Sequence, residues 1–252
     1  MMAGNEKSIA AFLLKNKSNL SLDHLGKIKT LHTPTNENPI ELKSIQDIED
    51  FLKPDSAQKK ADVLINGKGI SLKQTGGSKA FNKFQRKWAK SFFKFLKFDN
   101  VSKKISNLDK AVSEFHRGDC LRSYQWNKIF STEEYKKLLH HLMMLGNQHA
   151  MSPHQAELII TAPKKNISSE NVHCYTFDEY FKNYKDLSFL AIRRTWTNQN
   201  SSSESSRAKS IAKIKENEPW VFNDIIGCPS SGFNLNEKDK RTVYYLDIEV
   251  KY

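Results

Sequence analysis

The sequence has only three cysteines, Cys120, Cys174 and Cys228, and they lie far apart. This spacing offers neither a disulfide framework nor a Cys-x-x-Cys metal motif, and it predicts a reducing, cytoplasmic setting. No apolar run approaches the roughly 18 to 20 residues that span a bilayer. The first residues show no cleavage-site pattern, so we expect no signal peptide. These absences exclude a membrane protein, a secreted disulfide scaffold and a zinc ribbon.

The sequence also lacks the phosphate-binding loop of nucleotide-hydrolysing enzymes, the glycine fingerprint of dinucleotide-binding proteins and the G-x-S-x-G turn of serine hydrolases. Nucleotide binding and serine hydrolase chemistry are therefore unsupported. No internal repeat and no clear linker are visible. A chain of 252 residues is long enough to bury a substantial core. We predict a single domain over residues 1–252.

Acidic residues are few relative to basic ones, with 28 acids against 40 bases and a net charge of +12. The excess is local, because residues 79–110 hold ten basic and two acidic side chains and so carry +8 of that charge. Many soluble proteins are basic without a specific partner. A concentrated excess nevertheless favours nucleic acid as the partner.

Residues 78–98 have the pattern of a helix that follows Gly76-Gly77, with Ser78 as its N-cap. On a helical wheel the aromatic side chains share one side and predict a core-facing stripe: Phe81, Phe84, Trp88, Phe92 and Phe95. Basic side chains occupy the opposite side: Lys83, Arg86, Lys87, Lys90, Lys94 and Lys97. An ordinary solvated face usually mixes charge signs, so we interpret this face as one that contacts phosphates.

Other segments alternate between helical and strand patterns. Helices are predicted at residues 5–16, 45–52, 132–145, 177–184 and 207–215. Strands are predicted at residues 61–65, 69–74, 157–161, 172–175, 187–192 and 242–250, and residues 197–206 form a polar, low-complexity loop. The order predicts an α/β fold with a mixed central β-sheet flanked by helices.

Two of these strands form a hairpin that carries candidate catalytic groups. Asn66-Gly67 is a strong hairpin-turn dipeptide between them. Side chains alternate along a strand, so Ser71 and Lys73 share a face, and Asp62 can lie beside them across the hairpin. A carboxylate can bind Mg²⁺, and a lysine can orient water or stabilise charge on a phosphate. The alternative is a hairpin with a surface ion pair of little energetic value.

The order Asp62, Ser71, Leu72, Lys73 resembles the PD-(D/E)XK nuclease signature, in which an acid on one strand precedes acid-x-Lys on its hairpin partner. That superfamily includes most type II restriction endonucleases. Over roughly residues 1–98 the resemblance implies a restriction-endonuclease-like fold and Mg²⁺-dependent cleavage of double-stranded DNA. It also implies a homodimer matched to a palindrome, although monomeric members exist. In this scheme Asp62 binds the metal and Lys73 acts on the attacking water.

The sequence departs from the signature at its second acid, where Ser71 stands. Some families with Ser-x-Lys supply the missing carboxylate from the next helix, but here that region offers Gln85 and Arg86. Glu6 is a candidate metal ligand by resemblance to the family's N-terminal helix, and Glu41 is another. The literal Pro54-Asp55 pair lies in a polar stretch, so we prefer Asp62.

Several further contacts follow from this hypothesis. Gln74 or Gln85 would position water or phosphate. The DNA backbone would be contacted by Lys83, Arg86, Lys87, Lys90 and Lys94, and by Arg193 and Arg194 next to the polar loop. Base contacts would come from the C-terminal half of the chain.

Two alternatives remain open. Clustered histidines, His140, His141, His149 and His154, could indicate an HNH-type nuclease or metal site, but their segment has a helical pattern and lacks the strand-turn context. The other alternative is a non-enzymatic nucleic-acid-binding protein that uses the same basic helix.

Overall fold

A computed structural model of the chain describes residues 6–52, 59–75, 78–117, 123–196 and 242–251. It gives the backbone alone for residues 78–83, 87, 112–113, 115–117, 193–196 and 242–251. The α-helices are α1 Glu6–Lys15, α2 Ile45–Phe51, α3 Arg86–Phe95, α4 Val101–Arg117, α5 Thr132–His140 and α6 Phe177–Tyr184. The strands are β1 Ser21–Leu22, β2 Gly26–Lys27, β3 Leu31–Thr33, β4 Ile40–Glu41, β5 Val63–Ile65, β6 Lys68–Thr75, β7 Ser78–Gln85, β8 Ser123–Tyr124, β9 Leu158–Pro163, β10 His173–Tyr175, β11 Ser188–Trp196 and β12 Thr242–Lys251.

The chain divides into two compact units, each assembled from separate stretches of sequence. The first comprises residues 1–78, 139–187 and 251–252, and the second comprises residues 79–138 and 188–250. The predicted single domain over residues 1–252 stays a prediction. Each unit is described by itself below.

A six-stranded mixed sheet forms the centre of the first unit, with strand order β10-β9-β6-β5-β3-β4. β6 and β9 run parallel, while the other neighbouring strands run antiparallel. The predicted α/β class with a mixed sheet and flanking helices is confirmed at this level. The buried residues Ile9, Ala10 and Leu13 of α1 belong to the same core cluster as Ile70 and Leu72 of β6. One face of the sheet is therefore covered by helix.

The hairpin between β5 and β6 turns at Asn66 and Gly67, as predicted. Both residues have positive φ, 52° and 83°, which is the backbone geometry that a two-residue turn of this type requires. The Asn66 side chain also binds four backbone groups of the segment before β3: the N–H of Lys29 (2.8 Å) and Thr30 (3.2 Å), and the carbonyls of Lys27 (2.9 Å) and Leu25 (3.3 Å). This residue thus fixes the hairpin and a neighbouring loop together.

The second unit has a four-stranded sheet in the order β7-β12-β11-β8. Aromatic side chains form much of its core: Phe84, Phe92, Phe93, Phe98 and Phe130. Trp126 stacks on Tyr135 with ring centroids 4.3 Å apart. The Tyr135 hydroxyl in turn donates to Ser188 Oγ at 2.8 Å. The buried phenol is therefore satisfied, which the low polarity of the surrounding core requires.

The helix predicted over residues 78–98 is wrong in its first half. Residues 78–85 form β7, which pairs with β12, and the helix begins only at Arg86. Pairing with a strand distant in sequence overrides the local helical pattern. The predicted aromatic stripe changes accordingly, because Phe93 is fully buried and Phe95 is 56% exposed. Helix α4 was not predicted.

Most other predicted elements are confirmed, with bounds shifted by a few residues. The helix predicted at 132–145 is an α-helix to His140 and continues as a π-helical turn, His141–Leu145. The short strands β1 to β4 and β8 were not predicted. The polar loop at 197–206 and the basic helix at 207–215 lie outside the described residues.

Candidate active site in the first unit

The hairpin brings the predicted catalytic side chains close to one another. The regular ladder ends where Val63 pairs with Ile70, and the Asp62 N–H also donates to the Ile70 carbonyl, at 2.8 Å. The Asp62 carboxylate accepts from the Leu72 N–H, and the Ser71 hydroxyl and the Lys73 charge both lower its pKa. Lys73 lies two residues further along β6 and shares the face of Ser71. The predicted juxtaposition of Asp62, Ser71 and Lys73 is therefore present.

The Asp62 carboxylate is held by the backbone of the neighbouring strand. Its Oδ2 accepts a hydrogen bond from the Leu72 N–H at 2.6 Å. The residue keeps some solvent exposure, yet its carboxyl group is densely surrounded by protein atoms. Desolvation raises the pKa of Asp62, against the opposing effects of the Lys73 charge, the Leu72 N–H, Ser71 and the Lys60 charge.

Lys73 is half-buried, and its ammonium group donates to the Leu72 carbonyl at 3.3 Å. Its charge is the largest influence that lowers the pKa of Asp62. The two groups therefore interact electrostatically without a direct hydrogen bond among the described contacts. Such an arrangement leaves the amine able to turn toward a third group placed between them.

Lys60 is a site residue that the sequence argument missed. It precedes β5, and both the Asp62 and the Lys73 charges influence its pKa. Its side chain is 6% exposed, and its N–H donates to the His154 carbonyl at 3.0 Å. Burial lowers the pKa of Lys60 to about 8, with the Lys73 charge lowering it further and the Asp62 charge raising it.

Two buried hydroxyls complete the same face. Thr161 of β9 pairs with Lys73, and Ser71 pairs with Ile159, in the parallel register of β6 and β9. Ser71 is 1% exposed and Thr161 is fully buried. The Ser71 hydroxyl bonds to the Asp62 carboxylate and lowers its pKa, whereas Thr161 Oγ1 has no hydrogen-bond partner among the described atoms. Thr161 could not be found from the sequence, because nothing local indicates which strand lies beside β6.

The side chains around Asp62 provide only some of the ligands that a divalent cation needs. Within the described residues no group of three or more His, Cys, Asp or Glu side chains is arranged to hold a metal ion. Asp62 supplies a carboxylate here, and Mg²⁺ in proteins is often held by one or two carboxylates together with substrate phosphates and water. The residues therefore fit a metal that arrives with a phosphate substrate.

The other candidate ligands are placed as follows. Glu6 lies in the first turn of α1, a helix that packs in the core cluster with Ile70 and Leu72. That face of β6 is opposite the face of Ser71 and Lys73. Glu41 lies on β4 and forms ion pairs with Lys17 (3.8 Å) and Lys43 (3.3 Å). Its role as a ligand, like that of Glu6, stays a prediction.

The two predicted glutamines belong to different units, Gln74 to the first and Gln85 to the second. Gln74 pairs with Ala162 and lies on the sheet face opposite Lys73. A direct part for Gln74 beside Lys73 is therefore unsupported. Gln85 ends β7 and precedes the first turn of α3. Asp55 lies outside the described residues.

The predicted basic surface is only partly exposed. Lys90 and Lys94 of α3 are exposed. Arg86 is not, because its guanidinium is 5% exposed and bound to Asp109. The predicted DNA contact by Arg86 is thus corrected to a buried ion pair. The side chains of Lys83, Lys87, Arg193 and Arg194 lie outside the described residues.

The clustered histidines show no metal arrangement in the described part of the chain. His141 is 3% exposed and bonds through Nε2 to the Asn147 carbonyl at 2.8 Å. Burial lowers the pKa of His141, the hydrogen bond to Asn147 raises it, and the Lys60 charge lowers it. His140 packs against the ring of Phe177. These contacts are typical of structural histidines.

Comparison with known proteins adds no relative: no family model, no curated protein and no solved structure matches the chain. None of the described helices is long and apolar enough to cross a membrane.

Proposed function

We propose that the chain is a Mg²⁺-dependent endonuclease of the type II restriction class, acting on double-stranded DNA. The observation that carries the proposal is that the Asp62 carboxylate, held by the Leu72 N–H, lies beside Ser71 and Lys73 of the same hairpin. Acid and lysine have the order and placement of the PD-(D/E)XK signature. A restriction-endonuclease-like fold and a homodimer belong to the same proposal.

The residues of this face have distinct parts in hydrolysis of a phosphodiester. Lys73 orients the attacking water and stabilises the negative charge that develops on the phosphate. The Asp62 carboxylate would hold Mg²⁺, which would polarise the scissile phosphate. The Leu72 N–H holds the Asp62 carboxylate in a fixed orientation. Ser71 occupies the second acid position of the signature and contributes a hydroxyl instead of a charge.

The affinity for DNA comes from cations on the second unit in this proposal. Lys90 and Lys94 are exposed on α3 and have no acidic neighbour within that helix. A helix face of this kind suits the phosphate backbone and confers binding that weakens as salt is added. This feature alone favours the second candidate function, a non-enzymatic nucleic-acid-binding protein.

Cleavage of plasmid and phage DNA, with Mg²⁺ or with EDTA, separates the two functions. The decisive variants are Asp62→Asn, which keeps an acceptor for the Leu72 N–H, and Lys73→Ala. Lys27→Ala, an exposed lysine of β2, is the matched control. We expect discrete fragments with Mg²⁺ from the wild type and the control. Both site variants should bind DNA without cutting it.

Binding without cleavage under Mg²⁺, Mn²⁺ and Ca²⁺ would leave the non-enzymatic function. Cleavage that persists in Asp62→Asn and Lys73→Ala would place the activity elsewhere in the chain or in a contaminant. Each of these results contradicts the proposed site.

A further inference from the structure

Helix α3 carries two kinds of side chain on its exposed side. The opposite side of this segment is buried in the core: Ala89, Phe92, Phe93 and Leu96. At about 100° per residue, the exposed Lys90 and Lys94 form one edge of the exposed side. Half-buried Trp88 and exposed Phe95 form the other edge. The small residue Ser91 is exposed between them, so a cationic edge and an aromatic edge run along the same side of the helix.

Phe95 has the most exposed large apolar side chain in the described part of the chain, at 56%. A single exposed apolar residue is ordinary on a protein surface. The surroundings of this one are unusual, because exposed lysines flank it at Lys90, Lys94 and Lys97 and α3 contains no acidic residue. A partner for the ring must be apolar, whereas a partner for the lysines must be anionic.

A single-stranded nucleic acid meets both requirements, because each of its nucleotides joins an anionic phosphate to a planar base. Unpaired bases stack on aromatic side chains with little dependence on sequence, while a positively charged surface follows the phosphates. A duplex offers its phosphates to the lysines, but its base faces are already stacked on one another. The two edges of α3 therefore match a strand whose bases are unpaired.

We propose that α3 binds single-stranded nucleic acid, with Phe95 stacked on an unpaired base and with Lys90 and Lys94 on the neighbouring phosphates. Trp88 continues the aromatic edge two turns earlier, about 10.5 Å along the helix axis. This binding goes beyond cleavage of double-stranded DNA and does not depend on the residues around Asp62. DNA and RNA strands share the chemistry that this surface uses, so both are candidate ligands.

The test measures the affinity of Phe95→Ala and Phe95→Leu for nucleic acids in EDTA. The probes are oligothymidylate of about 16 nucleotides, the same backbone without bases, the matching oligouridylate and a DNA duplex of equal length. Phe95→Leu keeps an apolar side chain but loses the planar ring. Thermal unfolding of each variant verifies that it folds.

Phe51→Ala is the matched control. Phe51 is also a helical phenylalanine, and its exposure of 45% is similar, but it follows the acidic Glu49 and Asp50 instead of lysines. This variant should bind every probe as the wild type does.

The wild type should bind oligothymidylate more tightly than the backbone without bases. Both Phe95 variants should lose affinity for oligothymidylate about tenfold, as expected when one base loses its stacking partner, and should keep their affinity for the duplex. The slope of log affinity against log salt should not change in these variants, because no charge is removed. The double variant Lys90→Ala, Lys94→Ala should instead lower that slope for the single strand and the duplex alike.

Unchanged affinity of Phe95→Leu for oligothymidylate would overturn the proposal, and so would equal binding of oligothymidylate and the baseless backbone by the wild type. An equal loss of duplex affinity in the Phe95 variants would assign Phe95 a part in the fold of α3 and also overturn it. These measurements involve no cleavage, so their outcome is independent of the proposed nuclease activity. Tighter binding of oligothymidylate than of oligouridylate identifies DNA as the ligand, and the reverse preference identifies RNA.

Discussion

Arg86 and Asp109 are joined side by side, with Arg86 Nε bound to Asp109 Oδ1 and Nη2 bound to Oδ2 at 2.8 Å. The pair links the first turn of α3 to the middle of α4. Two-point binding fixes both the distance and the relative orientation of these helices. A residue that the charge pattern assigned to DNA thus serves the second unit's own core.

Breaking this pair should cost stability. Asp109→Asn leaves the guanidinium, which is 5% exposed, without a counter-charge. We expect a loss of about 3 kcal/mol in the free energy of unfolding, measured by urea denaturation. Asp186→Asn is the control, because that carboxylate pairs with Lys185 while 74% exposed. A loss as small as that of the control would show that the Arg86 pair contributes little.

Lys97 adopts a left-handed backbone, with φ of 56°, directly after the end of α3. Its N–H binds the Lys94 carbonyl, and the Phe98 N–H binds that of Phe93, which is the pattern of a glycine-type helix end. Lys97→Gly should therefore stabilise the protein by about 1 kcal/mol. Lys97→Ala removes the same charged group but keeps the Cβ atom, so the left-handed backbone stays unfavourable. This variant should therefore not be more stable than the wild type. Equal melting temperatures for the two variants would contradict this explanation.

The Asn66 side chain should matter beyond its suitability for the turn. Asn66→Ala loses both the turn preference and four hydrogen bonds, and we expect a loss of about 2 kcal/mol in unfolding free energy. Asn66→Gly keeps the turn geometry, so its loss of unfolding free energy relative to the wild type measures the side-chain hydrogen bonds. Exposed Asn38→Ala should be neutral. Should Asn66→Gly match the wild type, the side-chain bonds would have no net value.

DNA affinity should depend on the exposed lysines of α3. The double variant Lys90→Ala, Lys94→Ala removes up to two phosphate contacts. The slope of log affinity against log salt should fall by about 1.8, at about 0.9 per contact. The control, Lys27→Ala with Lys29→Ala, makes the same change of charge on the first unit. Equal slopes for both double variants would indicate binding by overall charge instead of by this helix.

Cys174 should make the protein sensitive to alkaline pH. Burial raises the pKa of its thiol from 9.0 to about 12, helped by Asp23 and Glu179 and opposed by Lys68. Above about pH 9 the thiol ionises in the unfolded protein, while the folded thiol keeps its proton. The contribution of Cys174 to the free energy of unfolding is therefore full below pH 9 and is lost as the pH rises toward 12. Between pH 8 and 10 the wild type should lose about 1 kcal/mol more than Cys174→Ala. Parallel pH profiles from urea denaturation would contradict the shift.

The proximity of Asp62 to Ser71 and Lys73 could be predicted because it depends on local rules. An Asn-Gly turn fixes the register of a hairpin, and alternation puts Ser71 and Lys73 on one face. The place of Lys60 could not be predicted in this way, because it precedes the ladder and its N–H donates to the carbonyl of the distant His154.

The remaining features depend on pairing between distant segments. Residues 78–85 have a helical pattern and become a strand because β12 lies beside them. Thr161 joins the site only because β9 pairs with β6. The amphipathic pattern of residues 86–97 likewise could not reveal that Asp109 binds Arg86, since the partner lies on another helix.

The parallel pairing of β6 with β9 has a kinetic consequence. The Gly69 N–H donates to the Glu157 carboxylate, 88 positions later in the chain. In sequence, residues 79–138 of the second unit come between β6 and β9. Closing so long a loop is slow compared with forming the hairpin. On refolding, hydrogen-exchange protection should therefore appear first around the Asn66 turn, and Thr161 should gain protection only later. The candidate active site should therefore be complete only after β9 has paired with β6.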